Sequence, residues 1–153
     1  MKLDLNKKYE KVAYTWDTWI FSLKELLSFD KKTILYFYPK DNTPWCTIEN
    51  KDFSFLKDKF AKIWIFVIWV SKDEISSHKD FIKSQNLKVD LISDPELVLH
   101  KYFWAYWEKN NYWKIVTWVI RSTFLLDIEG NVLKSWKNVK ATNHAQKVLK
   151  ELS

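Results

Sequence analysis

The 153-residue chain is 47% hydrophobic and 29% charged, the balance of one folded domain over residues 1–153 and not of a disordered segment. Its net charge of +6 is scattered, with acidic residues between the lysines as in Lys57-Asp58-Lys59, so it reads as a solvated surface and argues against a nucleic-acid partner. A single cysteine excludes an internal disulfide and a thiolate metal cluster, and neither metal nor cofactor is expected.

The charged start, Met1-Lys2-Leu3-Asp4, lacks the apolar stretch of a secretory signal, so a cytoplasmic location is expected. Thr33 to Tyr38 is β-branched and aromatic, ends at Pro39, and reads as a buried strand. From Thr47 to Lys62 the apolar positions Ile48, Phe53, Phe55, Leu56 and Phe60 predict an amphipathic helix with Cys46 at its mouth. Ile63 to Val70 is apolar throughout. It is far short of the ~20 residues of a membrane span, so no membrane partner is expected, and it suits a central parallel strand. A second helix is predicted from Ser71 to about Ser84, with Asp73 and Glu74 in its first turn. Val89 to Ile92 reads as a short strand, and Asp94-Pro95-Glu96 as a helix start with Pro95 at the first helical position. Val116 to Asp127 and Asn131 to Trp136 read as a hairpin about Gly130, and a last helix covers about Asn143 to Leu152. This order predicts a three-layer α/β domain.

Between the first of these strands and the first helix runs Pro39-Lys-Asp-Asn-Thr43-Pro-Trp-Cys46. It resembles the P-x-x-x-T-x-x-C active-site signature of peroxiredoxins. Tyr36-Phe-Tyr-Pro39, Ser77-His78-Lys79, Ser93-Asp94-Pro95 and Arg121-Ser122-Thr123-Phe124 resemble the bacterioferritin-comigratory, or Q-type, subfamily. The resemblance runs from about Asp17 to Leu152. It implies an α/β, thioredoxin-like three-layer fold with an N-terminal β-hairpin extension. It also implies a thiol-dependent peroxidase that reduces hydrogen peroxide and organic hydroperoxides to water and alcohols.

The residues suit that chemistry. The nucleophile that splits an O–O bond is a thiolate, and an unperturbed thiol is only about 3% ionised at pH 7. A helix N-terminus offers Cys46 about half a positive charge and free N–H donors. Of 25 lysine and arginine residues, all but Arg121 are lysine. That marks Arg121 as a site needing a permanent charge and a donor fork to hold sulfur and peroxide oxygen together. Thr43 can accept from a hydroperoxide while donating to sulfur or oxygen, which pairs it with Arg121 in substrate binding. Pro39 ends the strand and shields the thiolate from water, while Pro44 serves the local turn. Glu49, one turn into the helix, is a candidate to orient Arg121. His78, His100 and His144 show no metal-ligand spacing and read as surface or helix-packing residues.

Two features depart from the subfamily. Many Q-type members carry a resolving cysteine five residues after the first, where this chain has Lys51. The sulfenic acid of Cys46 then needs an external thiol, from a thioredoxin-like or glutaredoxin-like protein or a small thiol, in a one-cysteine mechanism. The chain is expected to work as a monomer or weak homodimer. It also has ten tryptophans and one glycine, where usage of about 7% gives about eleven glycines. The family places glycine where this sequence has Trp19, Trp45, Trp64, Trp69, Trp104, Trp107, Trp113 and Trp118. Trp16 has a similar turn context, and Trp136 matches a tryptophan of the family. UGA codons that the source organism reads as glycine, translated as tryptophan, produce this pattern, and the lysine excess fits an AT-rich genome.

Two other readings stand beside the peroxidase. A non-catalytic thioredoxin-fold binding module or holdase needs no reactive Cys46. A nucleic-acid-binding domain would use charge and aromatics together, and loses its basis if the tryptophans are glycines.

Overall fold

Alternate residues of the central strands enter two different cores. The computed structural model describes residues 6–12, 18–27, 32–41, 51, 53, 56–137 and 144–152. In it, β3 (Lys32–Phe37) sends Ile34 and Tyr36 to one face of the sheet and Leu35 and Phe37 to the other, all fully buried. β4 (Ile65–Ser71) divides likewise, Val67 and Trp69 against Ile68 and Val70. β3 and β4 pair in parallel, and β5 (Asp90–Ser93) extends the parallel set. Burial on both faces is why β3 is apolar from Ile34 to Phe37 and β4 from Ile65 to Val70.

β1 (Lys8–Val12) and β2 (Thr18–Ser22) form the expected N-terminal hairpin, and β1 also pairs antiparallel with β5. On the other side β8 (Ser122–Leu126) runs antiparallel to β3, and β9 (Val132–Trp136) antiparallel to β8. The described strands thus make a seven-stranded sheet of order β2-β1-β5-β4-β3-β8-β9. The Tyr36 face is covered by the helical residues 56–62 (α2), by α3 (Ile75–Gln85) and by α5 (His144–Leu152). They contribute Leu56, Phe60, Phe81, Ile82, Ala145 and Val148. On the opposite face α1 (Leu23–Leu27) and α4 (Val98–Tyr102) contribute Leu27 and Leu99, joined by Phe103. The three layers are the expected thioredoxin-like α/β architecture.

Three local expectations are corrected. The α3 helix begins at Ile75 with Glu74 as its N-cap, so neither acidic residue lies in its first turn. Pro95 is not in a helix: α4 begins at Val98, after a turn closed by Leu97 N to Asp94 O. Asp94 still caps that helix by reaching forward, its Oδ1 accepting from Val98 N at 3.0 Å and its Oδ2 from Leu99 N at 3.0 Å and His100 N at 3.2 Å. The long strand read from Val116 to Asp127 is two strands. β7 (Lys114–Val119) pairs with β6 (Tyr106–Asn111) in a separate hairpin, and β8 starts only after Ile120 and Arg121. Of the two readings of the histidines, surface or helix-packing, the second holds: His78, His100 and His144 are buried within α3, α4 and α5.

The tryptophans divide. Trp64, Trp104 and Trp113 have left-handed backbones, with φ of 61°, 57° and 73°, and exposures of 69, 70 and 100%. Trp69 departs from that pattern, its indole fully buried with an Nε1–H that finds no hydrogen-bond partner among the described residues. Trp136 is buried and donates from Nε1 to Glu151. Trp19, Trp107 and Trp118 stand in β2, β6 and β7. Trp16 and Trp45 lie outside the described residues.

Candidate active site

β3 delivers the chain to the candidate catalytic run. Tyr36 and Tyr38 project to one face, their rings stacked at 6.3 Å, and Tyr38 N still bonds Val70 O at 3.2 Å. Pro39, with no N–H to continue a ladder, follows as a half-buried bend. Lys40 is exposed and Asp41 buried. Thr43, Cys46 and Glu49 lie outside the described residues, so Pro39 and Arg121 are the predicted site residues with a described position.

β8 brings Arg121 to the same end of β3. The register sets Tyr36 against Thr123 and Phe37 against Ser122, so Arg121, one residue ahead of β8, continues alongside Tyr38. Its side chain is half-buried, and Nη1 donates to Tyr36 Oη at 3.0 Å. Behind Tyr36 lies His144 of α5, 4% exposed, its ring 5.9 Å from that of Tyr36 and its Nε2 2.7 Å from Thr123 Oγ1. Burial above all, then the charges of Lys147 and Arg121, lower its pKa to about 4. His144 is therefore neutral near pH 7 and sets no second cation beside the guanidinium. The arrangement holds one permanent cation with a donor fork, braced by a buried phenol at the exit of β3. It is suited to binding an anion or a polarised O–O bond there.

Sequence reasoning missed Tyr36, Thr123 and His144. Tyr36 had a signal, since two tyrosines two apart in an apolar strand put polar tips on one face. Thr123 and His144 had none, because they meet only through the packing of α5 on β8. Among the described residues no three His, Cys, Asp or Glu side chains gather as a metal site, and no helix is long and apolar enough to cross a membrane.

The AhpC/TSA family model matches residues 7–135. A Helicobacter pylori chain carrying the peroxiredoxin bcp name is 47% identical over 131 residues, 86% of this chain and 85% of its own length. Peroxiredoxin Bcp of Xanthomonas campestris is 43% identical over 119 residues, 78% of this chain and 74% of its own. A solved structure of the Xanthomonas campestris bacterioferritin comigratory protein, from work on its alkyl peroxide reduction activity, is similar with a TM-score of 0.84. It is 34% identical and covers 97% of this chain and 90% of its own.

Proposed function

The chain belongs to the AhpC/TSA family as a Bcp-type, thiol-dependent peroxidase, and on that premise we propose that Cys46 is its peroxidatic nucleophile. The thiolate attacks one oxygen of a hydroperoxide. An S–O bond forms as the O–O bond breaks, and the departing oxygen takes a proton to leave as alcohol or water. Cys46 becomes a sulfenic acid, oxidised by two electrons. One external thiol condenses with it, releasing water, and a second attacks the resulting mixed disulfide and restores Cys46. The thiols come from a thioredoxin-like or glutaredoxin-like protein or a small thiol. Arg121 and Thr43 bind the hydroperoxide, Pro39 keeps water from the sulfur, and Glu49 orients the guanidinium. The observation that supports this reading is Arg121 held on Tyr36 at 3.0 Å, at the end of β3 that leads to the motif.

The same proposal covers the setting. The protein is a single domain over residues 1–153, a cytoplasmic antioxidant enzyme acting as a monomer or weak homodimer, without nucleic-acid or membrane partners. Its natural form carries glycine, through UGA recoding, at Trp16, Trp19, Trp45, Trp64, Trp69, Trp104, Trp107, Trp113 and Trp118. The left-handed backbones of Trp64, Trp104 and Trp113 support that reading.

Stopped-flow reaction of the reduced protein with hydrogen peroxide tests the site. Cys46→Ser is expected to abolish turnover, because a hydroxyl does not ionise at neutral pH; retention of more than about a tenth of the rate removes Cys46 from the role. Arg121→Lys keeps the charge and loses the fork, and should slow the reaction by about 10²-fold. An unchanged rate would remove Arg121.

A further inference from the structure

Beside the Arg121 cluster a second polar group is buried where the chain enters the motif. Asp41, two residues before Thr43 and five before Cys46, is only 4% exposed. Its Oδ1 accepts from Tyr38 Oη at 2.5 Å, and its Oδ2 lies 2.8 Å from Ser77 Oγ and 2.7 Å from His78 Nδ1. His78 is fully buried, and its Nε2 is 3.1 Å from the main-chain oxygen of Ile92 in β5. A carbonyl only accepts, so Nε2 donates to it, while Nδ1 pairs with the carboxylate. His78 is thus a strut from β5 to the entry of the motif, bonded at both ends. The main chain is tied as well, since Asp41 N donates to Asp73 Oδ2 at 2.8 Å and Ser71 Oγ donates to the same oxygen at 2.8 Å. Burial, and next the Asp41 carboxylate, hold the Tyr38 phenol well above its usual pKa, so it stays a donor.

Apolar side chains would fill this space without the cost of desolvating a carboxylate and an imidazole. What they would not do is fix the direction of the chain at Asp41, which directional hydrogen bonds with Tyr38, Asp73 and α3 do. We propose that Asp41 and His78, with Tyr38 and Ser77, are positioning residues for the peroxidatic segment, holding the backbone from which Thr43 and Cys46 meet the hydroperoxide. The inference rests on Cys46 being the nucleophile. None of the four side chains touches the reacting atoms in this role. They act through the segment that Asp41 anchors.

The test compares two reactions of one sulfur in the full chain. Alkylation by iodoacetamide needs an accessible thiolate; reduction of hydrogen peroxide needs the geometry of the segment as well. Tyr38→Phe removes one hydroxyl from the network, and His78→Gln removes the strut. The peroxide rate should fall about 10-fold in Tyr38→Phe and about 10²-fold in His78→Gln, with alkylation within about twofold of wild type. A purely structural role would move neither rate or both together, and either result in Tyr38→Phe overturns the proposal even if His78→Gln does not fold. Cys46→Ser that keeps its activity would sink the nucleophile and this inference together. Loss in Cys46→Ser with full activity in both network variants would sink the network alone.

Discussion

His144 carries a consequence for acid stability that follows from its place behind Tyr36. Folded, its pKa is about 4, while an unfolded histidine titrates near 6.5. Between those values the unfolded chain binds a proton that the folded chain refuses. The stabilisation is complete above about pH 6.5 and is lost as the pH falls towards 4, by on the order of 3 kcal/mol. His144→Gln keeps a hydrogen-bonding amide near Thr123 Oγ1 and removes the titration. Urea unfolding at several pH values should show a steeper loss of stability in the wild type than in His144→Gln across this window. Parallel curves would assign the acid sensitivity to other groups. The same depressed pKa keeps positive charge beside Tyr36 on Arg121 alone of the two, through the pH range in which a thiolate nucleophile works.

The β6–β7 hairpin turns on Tyr112 and Trp113, with Asn111 paired to Lys114 and φ of 49° and 73° at the two central positions. Two positive φ values in a two-residue loop are the pattern of a type I′ turn, which Asn-Gly fills without strain. An indole there is fully exposed and buries nothing to offset a left-handed backbone. Trp113→Gly should therefore raise stability by about 1 kcal/mol. Trp136→Gly should lower it by about 3–5 kcal/mol, since that indole packs in the core. Equilibrium unfolding measures both, and a destabilising Trp113→Gly would contradict the turn argument. This hairpin is also where the sequence was hardest to read. Val116 to Asp127 looked continuous because neither Ile120 nor Arg121 is a turn residue. The break arises because β7 pairs with β6 and β8 with β3, which no local pattern encodes. The central parallel strands were legible for the opposite reason, that burial on both faces makes Ile65 to Val70 apolar at every position. In the site, the lone arginine was visible from composition. The contacts of Asp41 with His78 and of Thr123 with His144 were not, because each joins residues far apart in sequence.

Across the whole molecule, composition and backbone meet in one question, which residue the ribosome of the source organism places at the tryptophan positions. The only glycine, Gly130, has φ of 85° in the β8–β9 turn, the kind of site glycine is used for. Trp64 enters β4 from α2, Trp104 follows α4 and Trp113 tops a hairpin, and all three hold comparable positive φ with exposed indoles. Asn86, the C-cap of α3 at φ 50°, is an ordinary occupant of that region, whereas a bulky residue there costs ~1–3 kcal/mol. Trp69 raises a different objection to tryptophan: its buried Nε1–H has no partner among the described residues, a cost that glycine does not carry. Its packing also sets the limit of the idea, because Tyr36, Tyr38 and Phe53 lie 4.3, 5.2 and 5.3 Å from that ring and would have to close over a glycine. The proposed recoding would account for the tryptophan excess and the missing glycines by a single cause at the codon level. Intact mass of the protein purified from its own organism decides it. The expected mass is lower than that of the written sequence by a whole number of indolylmethyl-for-hydrogen exchanges, and tandem fragmentation should place glycine at Trp64, Trp104 and Trp113 and tryptophan at Trp136. A mass matching ten tryptophans rejects the reading.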